Sequence, residues 1–268
     1  MKLLVGARTD QGLVRLNNED NYYSAEEKGV FVVADGMGGH ASGEVASKMA
    51  IDIIRDSFIA TGGENEPIIG KYDDDYSEVT NQIGSAMRLA NMAIYEASQS
   101  DSQWQGMGTT MAAVVINNKR LSIAHVGDSR VYLVRAGNIA QLTDDHTLVY
   151  EQVKREIMTK EEADVSEIKN LLTRAVGIRQ DVEVDLDELT LADGDILVLC
   201  TDGLSSMVTD DDILYAVTSS EDPSAACERL VDMANDNGGQ DNITVIVASM
   251  KKRSWLSSLF NLFEWFRR

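Results

Sequence analysis

Between Gly108 and Leu142 four short apolar runs, at 108 to 117, 120 to 126, 129 to 135 and 138 to 142, follow one another with only two residues in each gap. The connections "NNK" and "AGN" are hairpin signals, and gaps this short join neighbouring strands antiparallel. The rest of the chain is also arranged in blocks. Strands are expected at 3 to 8, 21 to 24 and 29 to 35. A helix is expected from Gly43 to about Ala60, with Ala46, Met49, Ala50, Ile53 and Ile54 at helical spacing. A second, at about 76 to 98, carries Val79, Ile83, Met87, Ala90 and Ile94 as its stripe. Residues 147 to 180 are polar and helix-prone, and "TKEEA" resembles a capped helix start at Thr159. Strands return at 185 to 190 and 195 to 201, helices at about 210 to 218 and 223 to 236, and a strand closes the run at 243 to 249. Strands in blocks and helices in pairs do not make a repeating βαβ chain. The expected class is α+β, with antiparallel sheets and helices packed outside them.

Within that pattern, "VFVVADGMGGH" at 30 to 40 drives Asp35 out of the end of an apolar strand and strips side chains from its surroundings. Such a carboxylate is costly unless it is hydrogen-bonded, paired or bound to a cation. Taken alone, Asp-Gly is an ordinary hairpin turn. It is not alone, because "LSIAHVGDSR" carries Asp128, "DILVLCTDG" carries Asp202 and "GGQDNITVIV" carries Asp241, each beside an apolar run. Together with Glu19 and Asp20 of "NNED" they fit one acidic cluster. Oxygen-only ligands point to a hard or borderline divalent ion, Mg2+ or Mn2+, and away from a thiolate or imidazole zinc site.

Composition excludes several classes. The chain has 268 residues, 44% of them hydrophobic and only two of them proline, so it can bury a sizeable core and is not disordered. A formal net charge of -20 leaves no basic stripe for nucleic acid. Cys200 and Cys227 give neither a disulfide framework nor metal-ligand spacing, and they read as buried thiols of a cytoplasmic protein. The start "MKLLVGARTDQG" has the pattern of neither a signal nor a transit peptide, and no run approaches the roughly 20 apolar residues of a membrane span. The last stretch, 251 to 268, "KKRSWLSSLFNLFEWFRR", differs in kind: it holds five basic residues and one acidic. On a helix its Trp255, Leu256, Leu259, Phe260, Leu262, Phe263 and Phe266 share one face, with Trp265 the exception. It reads either as a segment lying in a membrane interface or as a helix docked on an acidic body.

Set in order, "RLNNED", "ADGMGGH", "GMGTT", "HVGDSR", "LTDDH", "LLTRAVG", "CTDGL" and "GGQDNIT" resemble the metal-dependent serine/threonine protein phosphatases of type 2C (PPM), their bacterial branch in particular, over about residues 3 to 249. The resemblance implies a four-layer αββα fold, two antiparallel sheets packed as a central sandwich with helix pairs on the outer faces. It implies a catalytic domain over 1 to 250 with a flap at about 147 to 180, and leaves 251 to 268 as a separate tail. By the same resemblance Asp35 bridges two Mn2+ or Mg2+ ions with the Gly36 carbonyl on one of them, and Asp202 and Asp241 complete the other shell. Glu19 and Asp20 act largely through water, Asp128 helps hold a weaker third ion with Asp202, and Arg15 grips the substrate phosphate. The implied activity is hydrolysis of phosphoserine and phosphothreonine in proteins by a hydroxide shared between two ions, opposing a bacterial Ser/Thr kinase. Phosphorylated proteins, the kinase among them, are the expected partners, and the expected state is a monomer. Two alternatives stand beside this: a phosphatase dedicated to one regulatory partner such as an anti-sigma antagonist, and a non-catalytic phosphoprotein-binding module.

One position departs from the animal branch of that family. Where that branch has a histidine proposed as general acid, this chain has Met37, which cannot donate a proton. His40, three residues on, reads by the resemblance as structural, with direct acid catalysis as the lesser alternative; His125 reads as a satisfied core residue and His146 as the orienting start of a loop or helix. The Thr109 and Thr110 hydroxyls read as support for the metal shell or strand pairing, and Met107 and Met111 as core. Arg174 reads equally well as a substrate contact or as a structural ion pair.

Overall fold

The computed structural model describes residues 2–38, 42–60 and 67–251. His40 and the segment 252–268, and with them the expected amphipathic tail, lie outside the described residues. The strands are β1 (Lys2–Asp10), β2 (Asp20–Ala25), β3 (Val30–Met37), β4 (Gly108–Thr109), β5 (Met111–Asn117), β6 (Arg120–Val126), β7 (Arg130–Arg135), β8 (Asn138–Gln141), β9 (Asp185–Thr190), β10 (Ile196–Cys200) and β11 (Ile243–Lys251). The α-helices are α1 (Ser42–Ala60), α2 (Glu78–Ser100), α3 (Leu148–Lys154), α4 (Lys160–Asp164), α5 (Asp202–Ser205), α6 (Asp210–Ser219) and α7 (Pro223–Asp236). One sheet runs β1-β11-β10-β7-β8 and the other β2-β3-β5-β6-β9, with β4 beside β3. Every pairing is antiparallel, but the expected four-strand meander is split: β5–β6 and β7–β8 are hairpins, whereas the gap expected at 127–128 carries the chain from one sheet to the other, so β6 and β7 do not pair.

Strand alternation builds the layers. On β3, Val30, Val32 and Ala34 pack with α1 and α2, while Phe31 and Val33 point into the space between the sheets. On β11, Ile243, Val245 and Val247 pack with α6 and α7, while Ile246, Ala248 and Met250 face the opposite sheet. Both faces of the central strands are therefore buried, which is why they read as unbroken apolar runs despite being antiparallel. The order is helix pair, sheet, sheet, helix pair.

Local chemistry sets the element ends. Ala136 and Gly137 both take positive φ, 52° and 79°, and close the tight turn between β7 and β8. Thr159 and Glu162 form the capping box expected at the start of α4. Three differences from the sequence reading matter. The expected strand at 108 to 117 is broken at Thr110, because the Thr110 hydroxyl takes the Asp35 N–H at 3.1 Å in place of a ladder carbonyl. The expected helix-prone stretch at 147 to 180 holds only α3 and α4, and Ile157 and Val165 are exposed, at 70% and 83%. Burial in it is confined to scattered positions such as Val149 on α3 and Ala163 on α4, too little to support more helix. The short α5, beginning at Asp202, was not expected and has no side-chain cap.

Candidate metal centre

Strand geometry gathers the acids at one end of the sandwich. Asp35 lies near the end of β3 and pairs in register with Asp20, which opens β2. Asp128 sits in the turn between β6 and β7, Asp202 is the first residue of α5 directly after β10 and its preceding Thr201, and Asp241 precedes β11. The charges of Asp20, Asp202, Asp128 and Asp241 all bear on Asp35. Glu19 closes on the same place, since a Cβ at Gly43 would lie 2.5 Å from its Oε2. Arg15, on the loop from β1 to β2, donates to Asp241 Oδ2 at 2.6 Å and keeps its side chain 55% exposed.

This grouping is electrostatically unfavourable as it stands. Burial, and then the neighbouring carboxylates, push the Asp35 carboxyl well above its ordinary range. Asp20 is raised by burial and by Asp202 and Asp241, against hydrogen bonds that pull it down, and Asp202 is raised by burial and by Asp241. Asp128 is pushed up to about 8, first by burial and then by Asp202 and Asp145. Glu19 is raised, again first by burial. Oδ1 of Asp20 and Oδ1 of Asp202 are buried with no hydrogen-bond partner. Orphaned carboxylate oxygens among several acids, with Arg15 on the Asp241 side, are a donor set that fits hard divalent cations.

The backbone that carries these acids is held by hydroxyls and one amide. Thr109 Oγ1 and the Thr110 N–H both donate to the Asp35 carbonyl, at 2.7 and 2.8 Å, and Thr110 Oγ1 shares a hydrogen bond with Ser129. Asn242 is buried; its Nδ2 donates to the carbonyls of Gln11 and Asn17 and its Oδ1 accepts from the Glu19 N–H. It thus pins both ends of the loop that presents Arg15. Thr201 and Thr244 donate to Asp20 Oδ2 at 2.8 and 2.7 Å, and Ser47 donates to the Glu19 carbonyl at 2.6 Å. The sequence reading missed Asn242, Thr201, Thr244 and Ser47. For Asn242, Thr201 and Thr244 the signal is a polar residue beside an acid or at a strand end; Ser47, inside α1, carries none. The glycine at Gly36 has a packing reason: a Cβ there would meet the Gly43 carbonyl oxygen at 2.1 Å and the Glu19 carbonyl oxygen at 2.7 Å, so the close approach of α1 requires it.

His125, His146 and Asp185 also bring possible ligand atoms within 4.8 Å of one another. Their hydrogen bonds are already committed. His125 Nε2 donates to the Gly127 carbonyl, and His146 Nδ1 accepts from the Gly127 N–H, which places the His146 proton on Nε2, facing Asp185 at 3.1 Å. Arg174 pairs with Asp185 as well, so the structural reading of that arginine holds. Burial and then His146 push His125 down to about 4, as befits a core residue. This network clamps the turn that carries Asp128.

Two clefts flank the acids. One, of about 630 Å3, runs from Asp128 and Asp202 between the α3–α4 segment and α6, with Lys160, Lys169, Asp210 and Asp211 along it. The other, of about 610 Å3, starts at Met37 and runs along residues 170–183. The segment expected as a flap lies between them, with Asn170 lining both.

Comparison with known proteins agrees with this arrangement. The chain is 35% identical over 247 residues to protein phosphatase PhpP of Streptococcus pneumoniae, covering 91% of this chain and 96% of that one. The crystal structure of the Mycobacterium tuberculosis serine/threonine phosphatase PstP/Ppp matches with a TM-score of 0.83 at 36% identity, over 94% of this chain and all of that one. A structure of the PstP catalytic domain in complex with two manganese ions matches with a TM-score of 0.80 at 37% identity, over 93% and 99% of the two chains. The model of the family Protein phosphatase 2C matches residues 7–243, and the chain belongs to that family of metal-dependent protein phosphatases.

Proposed function

We propose that this chain hydrolyses phosphoserine and phosphothreonine in proteins with Mn2+ or Mg2+, and that it opposes a Ser/Thr kinase. The observation that carries the reading is the pair of buried, partnerless oxygens, Asp20 Oδ1 and Asp202 Oδ1, within a cluster of uncompensated carboxylates. Serine/threonine phosphatase relatives matched over nearly their whole length support the substrate class. Asp35, the Gly36 carbonyl, Asp202 and Asp241 would hold two ions, with Glu19 and Asp20 acting through water and Asp128 with Asp202 serving a weaker third. When bound, such ions acidify water and offset charge on phosphoryl oxygens. The chain's own groups do the rest. Arg15 spends one guanidinium nitrogen on Asp241 and, being exposed, has further N–H groups for phosphate oxygens. The Thr109–Thr110 clamp fixes where Asp35 presents its carboxylate. Met37 supplies no proton at the cleft, and His125 and His146 are committed to Gly127 and Asp185, so none of these three is the source of the leaving-group proton.

The test is phosphate release from a phosphothreonine peptide in EDTA, then with Mn2+ or Mg2+ restored. Metal-dependent release is expected; full release in EDTA sinks the reading. Among the described residues no helix is long and apolar enough to cross a membrane. The basic, aromatic sequence of 251–268 supports a peripheral contact with anionic membrane. Sedimentation with anionic liposomes should pellet the full chain and not a chain ending at Met250, and equal behaviour of the two refutes it.

A further inference from the structure

The cleft that starts at Met37 differs from its neighbour across the flap in being walled by aliphatic side chains, with Leu171 54% exposed and Ile178 43% exposed. A scattered exposed aliphatic residue needs no explanation. Ile178 is different because the fold fixes it in place. Asn91, itself buried, accepts from the Gly177 N–H at 2.7 Å and donates to the carbonyls of Arg179 and Gln180 at 3.1 and 2.9 Å, clamping the chain on both sides of Ile178. Gly177 takes φ +90°, and Val176 exchanges two backbone hydrogen bonds with Thr109. Gly108 makes the room: a Cβ there would lie 2.7 Å from Ile178 Cδ1. Gly108 is also the ladder partner of Met37, so Ile178 is held over the strand end that carries Asp35.

An apolar side chain pre-organised beside a reaction centre contributes to binding without an ordering cost, which is how substrate subsites are built. Met37 lies two residues beyond Asp35 on β3, about 7 Å along the strand. An extended peptide therefore enters the groove one or two residues from its reacting position. The rim carries both signs, Arg179 against Asp181 and Glu183, with Arg174 already paired, so it does not select by net charge. A volume of about 610 Å3 holds a large aliphatic side chain with its backbone.

We propose that the Met37–Leu171–Ile178 groove is a substrate subsite that takes an aliphatic side chain one or two residues from the phosphorylated serine or threonine. The inference rests on the phosphatase reading above. The test uses the full chain with Mn2+, an aryl phosphate, and phosphothreonine peptides that differ only by Leu or Ser at each of the two positions before and after the phosphoresidue. Leu at one of those positions should raise kcat/KM about tenfold, chiefly through KM, a size usual for one aliphatic side chain entering an apolar site. Ile178→Ser, and separately Leu171→Ser, should bring that Leu-to-Ser ratio close to one, while Met92→Ser, an exposed apolar residue on α2, should leave it at the native value. Because the readout is a ratio within one preparation, partial misfolding of a variant cancels. Turnover of aryl phosphate with no dependence on the flanking residue, or a ratio that survives both groove variants, overturns the subsite alone. No turnover of any substrate overturns the phosphatase reading and the subsite with it.

Discussion

Asp35 and Asp195 both stand at a strand end of the sandwich, and they have opposite electrostatics. Asp195, before β10, is 1% exposed. Burial pushes its carboxyl up, but Arg135 and the Ala192 N–H outweigh this and hold it below the ordinary range. Asp35 has four acids around it and is pushed well above that range. The two arginines of β7 make the contrast sharper. Arg135 at one end neutralises Asp195, while Arg130 at the other, two residues from Asp128, turns to Asp145 in a two-pronged pair and leaves Asp128 raised to about 8. Burial of an acid does not mark a functional site. The withheld counter-charge does, because a folded chain keeps such a cluster only where something else neutralises it.

The largest effect expected from this contrast follows substitution within each set. Asp35→Asn or Asp202→Asn should lower kcat by about a thousandfold or more, since each removes a charge that would hold an ion. The same changes relieve repulsion, so the melting temperature in EDTA should stay level or rise. Asp195→Asn should do the reverse: it weakens the pair with Arg135, which stays solvated and keeps the Thr190 carbonyl, and should cost about 1 kcal/mol of stability, with activity per folded molecule unchanged. Thermal melts and kinetics on the three variants check this. An Asp35→Asn protein that melts below the native chain in EDTA breaks the comparison.

Next in size is a pH dependence of opposite sign in the two sets. A carboxyl raised on folding stabilises fully below its unfolded value and loses that contribution as pH rises through the folded one, so Asp128 gives up stability between about pH 4 and about 8. Asp144, Asp185 and Asp195 are lowered on folding, so their contribution is present above the ordinary carboxylate range and is lost as pH falls. In EDTA the melting temperature should therefore fall from pH 5.5 to 8. Mn2+ should raise it by several degrees more at pH 8 than at pH 5.5, because protons and metal compete for the same oxygens. Asp128→Asn should flatten the EDTA profile. A profile already flat in the native chain removes the raised carboxyls from the account.

How much of this was legible in the sequence depends on the range of the interaction. Strand periodicity and two-residue gaps are local, and they reveal the strands, two of the hairpins and the acids at strand ends, but not that the gap holding Asp128 passes from one sheet to the other. The αββα layering is implied by the family resemblance; the order of elements alone carries only antiparallel sheets with helices packed outside them. What decides whether an acid is neutralised is not local: Arg135 meets Asp195 across 60 residues, and Arg130 lies nearer in sequence to Asp128 than to its partner Asp145. Asn242 reaches Gln11 across 231 positions, and Asn91 reaches Gly177 across 86. No spacing rule reports such pairs. The 147–180 segment is helix-prone by composition, but helical propensity alone does not decide how much helix forms where only scattered residues such as Val149, Ala163 and Val176 are buried.

Asp20 belongs to both sets, and it gives the smallest and sharpest test. Its Oδ2 is held by the Thr201 and Thr244 hydroxyls, and Thr244 in turn shares a hydrogen bond with Thr9 at 2.8 Å. Its Oδ1 has no partner at all. If the hydroxyls serve to aim the free oxygen, Thr201→Val keeps the shape of the site but loosens the carboxylate. The Mn2+ concentration for half-maximal activity should then rise about tenfold, the usual scale for a group that orients a ligand, while kcat at saturating Mn2+ changes by less than about threefold. Stability in EDTA should fall by about 2 kcal/mol, for the hydrogen bond to Asp20 and for that of the buried Thr244 N–H, which Thr201 Oγ1 accepts at 3.0 Å. Thr244→Val should behave alike in the metal titration, with a smaller stability loss, since Thr9 is exposed and keeps its hydrogen bond from Asn18. A metal titration unchanged in both variants, with only the stability loss observed, would place Asp20 among the structural acids with Asp195.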